Sequence, residues 1–303
     1  MWFTFALIAL LCWSGSDLFS KIGCRDAGDK YSHLKMVMAV GLVMGLHAGY
    51  ELLFKEVAIS GRILLTYLPV SMLYILSMAI GYLGLRYIEL SISSPICNSS
   101  GAIVAVLTLI TVGVGDDLPP VALVAVALVC IGVVALGFVE AYEDEDLRRA
   151  RQDASNHHYA KSWIALVIPV IYCLLDALGT FADSRVLEVL DEDSANVAYE
   201  LTFLAVGLLC AIWVLGVKKQ KLIPKMEAPK YIGAGFETAG QFFYIYALAD
   251  SEHVAFAAPI ISAYCVASVV WSRLFLKEKL SLKHYLSIAI VVAGIVILGI
   301  LDI

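Results

Sequence analysis

The chain has 303 residues, 61% of them hydrophobic and only 16% charged, with a mean hydropathy of +0.85. A chain this apolar does not dissolve as a globular domain, so it is read as an integral membrane protein. Its net charge of −6 argues against a nucleic-acid partner.

Crossing about 30 Å of hydrocarbon takes roughly 20 helical residues. Ten apolar runs of that size follow one another, near 2–22, 33–54, 63–85, 92–113, 119–140, 162–183, 195–217, 229–249, 254–275 and 282–301. They lack the period-two strands of a barrel. The expected fold class is therefore an all-α membrane protein of ten transmembrane helices. The first run lacks a basic leader and a cleavage pattern, and is expected to be retained. The seven cysteines show neither paired nor metal-type spacing and are read as small core residues.

Most connections are short. The exception, 141–161, is an acidic patch followed by a basic one, and it is read as a cytoplasmic linker between halves 1–140 and 162–303. The halves carry faint copies of one another. Tyr82 to Ile96 and Tyr246 to Ile260 both run from a Tyr to a Pro-Ile, with 246 − 82 = 164 and 259 − 95 = 164. The end of the fifth run, VCIGVVALG, meets the end of the tenth, VVAGIVILG, at 291 − 129 = 162, and Asp116-Asp117-Leu118 meets Glu278-Lys279-Leu280 at the same offset. Five spans per half is an odd number, so two copies must lie upside down to one another, as two inverted five-helix repeats.

Lys and Arg set the orientation. Eighteen of the 21 fall in or beside the connections after the odd-numbered spans, and only Lys55, Arg62 and Arg185 fall on the other face. The basic face is expected to be cytoplasmic, which puts both termini outside a plasma membrane.

Trp13 and Lys21 in CWSGSDLFSK, the prolines of spans four and nine, and KEKLS followed by a Gly-rich tenth span form a recognisable set. With them the chain resembles, over essentially its whole length, the drug/metabolite transporter superfamily, in particular its ten-helix, EamA-type branch. The chain departs from the family pattern in Ser14, where glycine is usual, and in Asp17. The resemblance implies transport of small solutes, commonly outward, and leaves the substrate open.

An Asp at the centre of a membrane helix costs about 2.5 to 3.5 kcal/mol to insert, so embedded carboxylates mark pathways and sites. Asp176 is the deepest, followed by Glu237 and Asp17, for which Lys21 is a rival partner one turn away, and by Glu200 nearer a helix end. Glu237, Gln241 and Tyr244 share one helix face at i, i+4 and i+7, and Tyr172 precedes Asp176 by four. Acids beside aromatic faces suit an organic cation. Pro95 and Pro259 each release a carbonyl one turn earlier, and polar groups follow each bend, Asn98 after the first and Tyr264 after the second. The candidate substrate-binding set is thus Trp13, Asp17, Asn98, Tyr172, Asp176, Glu200, Glu237, Gln241, Tyr244 and Tyr264, with Pro95 and Pro259 as bends for packing or gating.

His157 and His158 lack further ligands for a metal, and no catalytic or cofactor-binding set stands out. No GxxxxGK[ST] loop is found, so ATP does not drive the protein directly. The expected function is secondary transport of a small polar or cationic metabolite by alternating access, with export favoured. Moving a positive charge outward against about 100 mV costs roughly 2.3 kcal/mol, so exchange with protons is one open coupling. Uptake of a choline-type amine, a flippase for lipid-linked intermediates and a structural membrane partner remain alternatives. The partners are the solute and the bilayer. Gly41, Gly45 and Gly49 form two GxxxG steps, either inside the bundle of a monomer or in a weak homodimer.

Overall fold

The computed structural model describes residues 1–26, 28–87, 90–111, 120–141, 163–250, 252–277 and 280–301. Among them every regular element is helical: α1 Trp2–Cys24, α2 Ser32–Phe54, α3 Gly61–Gly84, α4 Leu90–Asn98, α5 Ser100–Thr111, α6 Pro120–Ala141, α7 Trp163–Val186, α8 Glu192–Ala211, α9 Pro224–Leu248, α10 Val254–Ser262, α11 Tyr264–Phe275 and α12 Leu282–Leu301. A helix or a pair of helices occupies each of the ten apolar runs. Most of the linker 141–161, with His157 and His158, lies outside the described residues, as do Asp116, Asp117, Leu118, Glu278 and Lys279.

Local chemistry sets several starts. The Ser60 hydroxyl accepts from the Ile63 N–H at 3.3 Å to open α3, and Asp191 accepts from the Ser194 N–H at 2.9 Å to open α8. Pro224 opens α9, where its missing N–H has no role in the helix. The last turn of α8 widens into a π-helical segment, Ile212–Val217.

Seven stretches are helices long and apolar enough to cross a membrane: Trp2–Cys24, Ser32–Phe54, Gly61–Gly84, Ser93–Thr111, Val167–Val186, Glu192–Val217 and Val254–Phe275. Two more apolar helices are shorter, Pro120–Leu136 and Leu282–Leu298. The predicted eighth span is different in kind: α9 is 25 residues long but carries Lys225, Glu227, Lys230, Glu237 and Gln241. Of these, Glu227, Lys230, Glu237 and Gln241 are buried inside the protein, while Lys225, in the first turn, is exposed.

Two predicted spans are each broken once. α4 and α5 meet at Ser99, and α10 and α11 meet at Ala263, four residues beyond Pro95 and Pro259. Asn98 Nδ2 caps the loosened backbone of the first break by donating to the Ser94 carbonyl at 2.7 Å, and the Ser99 hydroxyl donates to the Pro95 carbonyl at 3.0 Å. The bounds of both pairs differ by one constant, 254 − 90 = 264 − 100 = 275 − 111 = 164.

The helices pack in pairs, α1 on α9, α2 on α8, α3 on α7, α4 on α11, α5 on α10 and α6 on α12. In the α2/α8 pair the two backbones come close together. A Cβ on Gly41 would stand 2.6 Å from the Phe203 carbonyl oxygen and 3.0 Å from the Gly207 Cα, and one on Gly45 would meet Leu204 at 2.7 Å. The partner of the GxxxG surface is thus α8 of the same chain, while Gly49 faces open space. Backbone cannot step aside as a side chain can. Gly41→Leu is therefore expected to destabilise the protein by about 1 to 3 kcal/mol, and Gly49→Leu to change stability by less than about 0.5 kcal/mol. Thermal unfolding in detergent reads both, and equal melting temperatures for the two variants would refute the packing argument.

Where α1 ends and α9 begins, four charges lie buried together. Lys35 pairs with Asp29 at 3.0 Å and Glu227 at 3.4 Å, and Lys230 pairs with Glu227 at 2.9 Å and Asp29 at 3.9 Å. Each of the four side chains is 7% exposed or less. The quartet is neutral and ties the first two helices to α9.

Candidate functional site

A cavity of about 880 Å³, its mouth included, lies between α1, α3, α4, α7, α8, α9, α10 and α11. α1 contributes Trp13, Ser16, Asp17 and Ser20, and α3 contributes Tyr74, Met78, Gly81 and Tyr82. Ser93, Ser94 and Asn98 come from α4, Tyr172, Asp176 and Thr180 from α7, and Tyr199 from α8. Glu237, Gln241 and Tyr244 come from α9, Ser262 from α10 and Tyr264 from α11. No Lys or Arg is among the described residues that line it.

Three carboxylates face this space, each held by hydroxyls. Asp17 accepts from Ser94 of α4 and, at 2.8 Å, from Ser268 of α11. Asp176 accepts from Ser100 of α5 at 2.7 Å, and Glu237 accepts from Ser16 of α1. Lys21, the expected rival for Asp17, sends its Nζ to the Leu85 carbonyl at 2.7 Å. In their ionised form these acids place negative charge inside the bundle. In a low-dielectric surrounding such charge attracts a cation far more strongly than it would in water.

Aromatic rings form the walls. The Trp13 ring lies 4.8 Å from that of Tyr244 and 5.8 Å from that of Tyr264, centroid to centroid. Glycines make room for the rings: a Cβ on Gly240 would stand 2.4 Å from Trp13, and one on Gly81 2.8 Å from Tyr172. Among the buried donors without a hydrogen-bond partner in the described residues are Trp13 Nε1, Ser20 Oγ, Tyr82 OH and Gln241 Nε2. All four belong to residues that line the cavity. Such groups offer hydrogen bonds to acceptor atoms of a bound molecule.

Nine of the ten residues proposed from the sequence line this one space: Trp13, Asp17, Asn98, Tyr172, Asp176, Glu237, Gln241, Tyr244 and Tyr264. Glu200 does not. It is fully buried on the α2 side of α8, where its two oxygens lie 2.8 and 3.0 Å from His47 Nδ1, and His47 Nε2 in turn lies 3.6 Å from Glu51. The cause is helical geometry. Successive residues point about 100° apart, so when Tyr199 turns toward the cavity, Glu200 turns toward α2.

Tyr74, Tyr82, Tyr199 and Thr180 also line the space and were not singled out from the sequence. For Thr180 a signal existed, since Tyr172, Asp176 and Thr180 recur every four residues on α7. The tyrosines gave none, because their number in apolar runs does not tell wall from packing.

The fold and the cavity define a multi-pass helical membrane protein with an acidic, aromatic-walled chamber at its core. Residues 162–300 match the model of the EamA-like transporter family. Members of that family are membrane transporters of small solutes and not enzymes. A solved structure described only as the crystal structure of a protein aligns over 98% of this chain and 96% of its own, at a TM-score of 0.64 and 14% identity. That likeness is one of fold. No curated protein matches the chain.

Proposed function

We propose that the protein is a secondary transporter that moves small polar or cationic metabolites by alternating access, with export the favoured direction. The observation that carries this reading is the cavity itself: three carboxylates, a wall of Trp and Tyr, and no basic residue among the described lining. An ammonium group gains from charge pairing and from ring faces together.

The architecture we propose is ten transmembrane helices in two inverted halves, 1–140 and 162–303. The helix bounds support it through the constant offset of 164 across both broken helices. The packing supports it as well. Exchanging each helix of α1–α6 for the helix six places on turns α1/α9 into α7/α3 and α4/α11 into α10/α5, and leaves α2/α8 and α6/α12 unchanged. Every pair maps onto an observed pair. Rocking one half against the other would then open the chamber to each side in turn.

Both termini are placed outside the plasma membrane in this proposal, on the positive-inside pattern. A tag at either end should be cut by protease added to intact cells, and protection of both tags would reverse the orientation.

The function itself is tested by a thermal-shift screen of the purified protein against amines, amino acids and nucleotide sugars. Stabilisation by amines is expected. Stabilisation by nucleotide sugars alone would overturn the cation assignment, and no response from any class would favour a structural role. The corner formed by Trp13, Tyr244 and Tyr264 favours one second reading, a quaternary amine of the choline type taken up from outside. Flux of labelled choline into proteoliposomes, driven by an inside-negative potential, separates uptake from export.

A further inference from the structure

Beyond the chamber lies a second buried carboxylate cluster. Asp183 is fully buried, one turn from the end of α7. Its Oδ1 accepts from the Tyr67 hydroxyl at 2.7 Å and its Oδ2 from the Tyr74 hydroxyl at 3.4 Å. The Tyr74 hydroxyl also reaches Thr180 Oγ1 at 3.2 Å and is hydrogen-bonded to the Tyr244 hydroxyl. Tyr74, Thr180 and Tyr244 line the chamber, while Tyr67 and Asp183 do not. An unbroken chain of hydroxyls thus runs from the chamber wall to a carboxyl group that the solute cannot touch.

Among the described residues Asp183 makes no ion pair. The titratable groups around it are Tyr67 and Tyr74 of α3, Tyr199 of α8 and Tyr244 of α9, and on α7 itself Asp176 and Arg185 stand seven and two residues away in sequence. Arg185, the nearest cation in sequence, is turned away to Glu188 at 2.7 Å and to Thr111 of α5 at 3.0 Å. A buried carboxylate without a cation is expensive to keep charged, and a single proton removes that expense.

We propose that Asp183 is a proton-binding site separate from the chamber carboxylates, and that Tyr74 and Tyr244 relay its protonation to the solute. The inference rests on the transporter reading for its second half only. A tyrosine hydroxyl has one proton to donate. With Asp183 ionised, Tyr67 and Tyr74 both donate to it, Tyr244 donates to the Tyr74 oxygen, and a lone pair of Tyr244 is left toward the chamber. With a proton from the aqueous phase on Asp183, its own O–H donates to Tyr74, Tyr74 donates to Tyr244, and the Tyr244 proton turns toward the chamber. One O–H bond forms on Asp183 and is broken when the proton returns to water; the tyrosines only change direction. The chamber then presents an acceptor to a donor-bearing cation when Asp183 is charged, and a donor that repels it when Asp183 is protonated. Proton and cation compete without sharing a binding group.

Infrared difference spectra of the protein in proteoliposomes, recorded between two pH values, test the proton site without any solute. The C=O band of a titrating buried carboxyl is expected in the wild type and in Asp176→Asn and Glu237→Gln, and is expected to vanish in Asp183→Asn. Tyr67→Phe should move that band to higher frequency by removing a hydrogen bond. A full set of bands in Asp183→Asn, or a band indifferent to Tyr67→Phe, overturns the site. If Asp183→Asn does not fold, Tyr67→Phe and Tyr74→Phe carry the same test through the frequency shift.

The relay is tested with ethylamine as the probe, a primary ammonium ion that bears N–H donors. Its affinity should fall about tenfold for each pH unit below the midpoint of the band, and this slope should disappear in Tyr244→Phe. A slope retained in that variant overturns the relay. Ethylamine that binds at no pH removes the solute assignment and leaves the proton site to stand or fall on its band.

Discussion

Asp176→Asn should weaken binding of a cationic probe such as choline by roughly 30- to 1,000-fold, equivalent to about 2 to 4 kcal/mol. Asp17 and Asp176 are unequally satisfied by hydroxyls. Asp17 accepts two serine hydroxyls, Ser94 and Ser268, whereas Asp176 accepts one, Ser100. Asp176 therefore has more lone pairs to offer, and its charge is the less compensated of the two. Asparagine keeps the shape and the contact with Ser100 but removes the charge. Glu200→Gln is the control, because Glu200 is a buried carboxylate that pairs with His47 and stands outside the chamber. Calorimetric titration of both variants decides the matter. Equal losses, or no loss in Asp176→Asn, would mean that net charge or fold, and not position in the chamber, governs binding.

The second large effect concerns the buried quartet of Asp29, Lys35, Glu227 and Lys230. Lys230→Met removes one of two cations from a neutral group whose members are almost wholly buried, leaving an uncompensated negative charge. Removing one partner of a buried pair costs about 3 to 5 kcal/mol. The double variant Glu227→Gln with Lys230→Met restores neutrality and should recover most of that loss, since well-packed uncharged groups replace buried ion pairs at little cost. Thermal unfolding of the two single variants and the double variant forms the cycle. Additive losses would show that the four charges act independently, in spite of their spacing.

The fold was largely legible in the sequence because hydrophobic length is a strong physical constraint. A helix in a bilayer must satisfy its own backbone and must be long enough to cross, so the apolar runs located the helices to within a few residues. The clearest surprise was α9. Its charged and amide residues set it apart from the seven stretches apolar enough to span by composition, yet Glu237 and Gln241 on it were recognisable as candidates because they share a face. Facing was the limit elsewhere. Glu200 and Tyr199 are neighbours in sequence with opposite destinations, and no periodicity could assign them without the position of α2. Asp183 went unnoticed for a related reason. It stands seven residues after Asp176 on one helix face, a visible spacing, but near the predicted end of its span an acid is more readily taken for a group at the water boundary. Only the tyrosines that reach it from α3, more than a hundred residues away in sequence, reveal that it is sealed inside.

The serine hydroxyls on the chamber acids bear on speed. A carrier must release its cargo in every cycle, and a site that holds too well turns over slowly. Were Asp17, Asp176 and Glu237 bare, a departing cation would leave naked charges in a poorly solvated interior, and the climb out would be steep. Ser94, Ser268, Ser100 and Ser16 are already in place to meet those charges. In the proposed transporter they would stabilise the vacated site and so lower the barrier to departure. Removing them, as in Ser100→Ala, is the kind of change that would tighten binding while slowing the carrier.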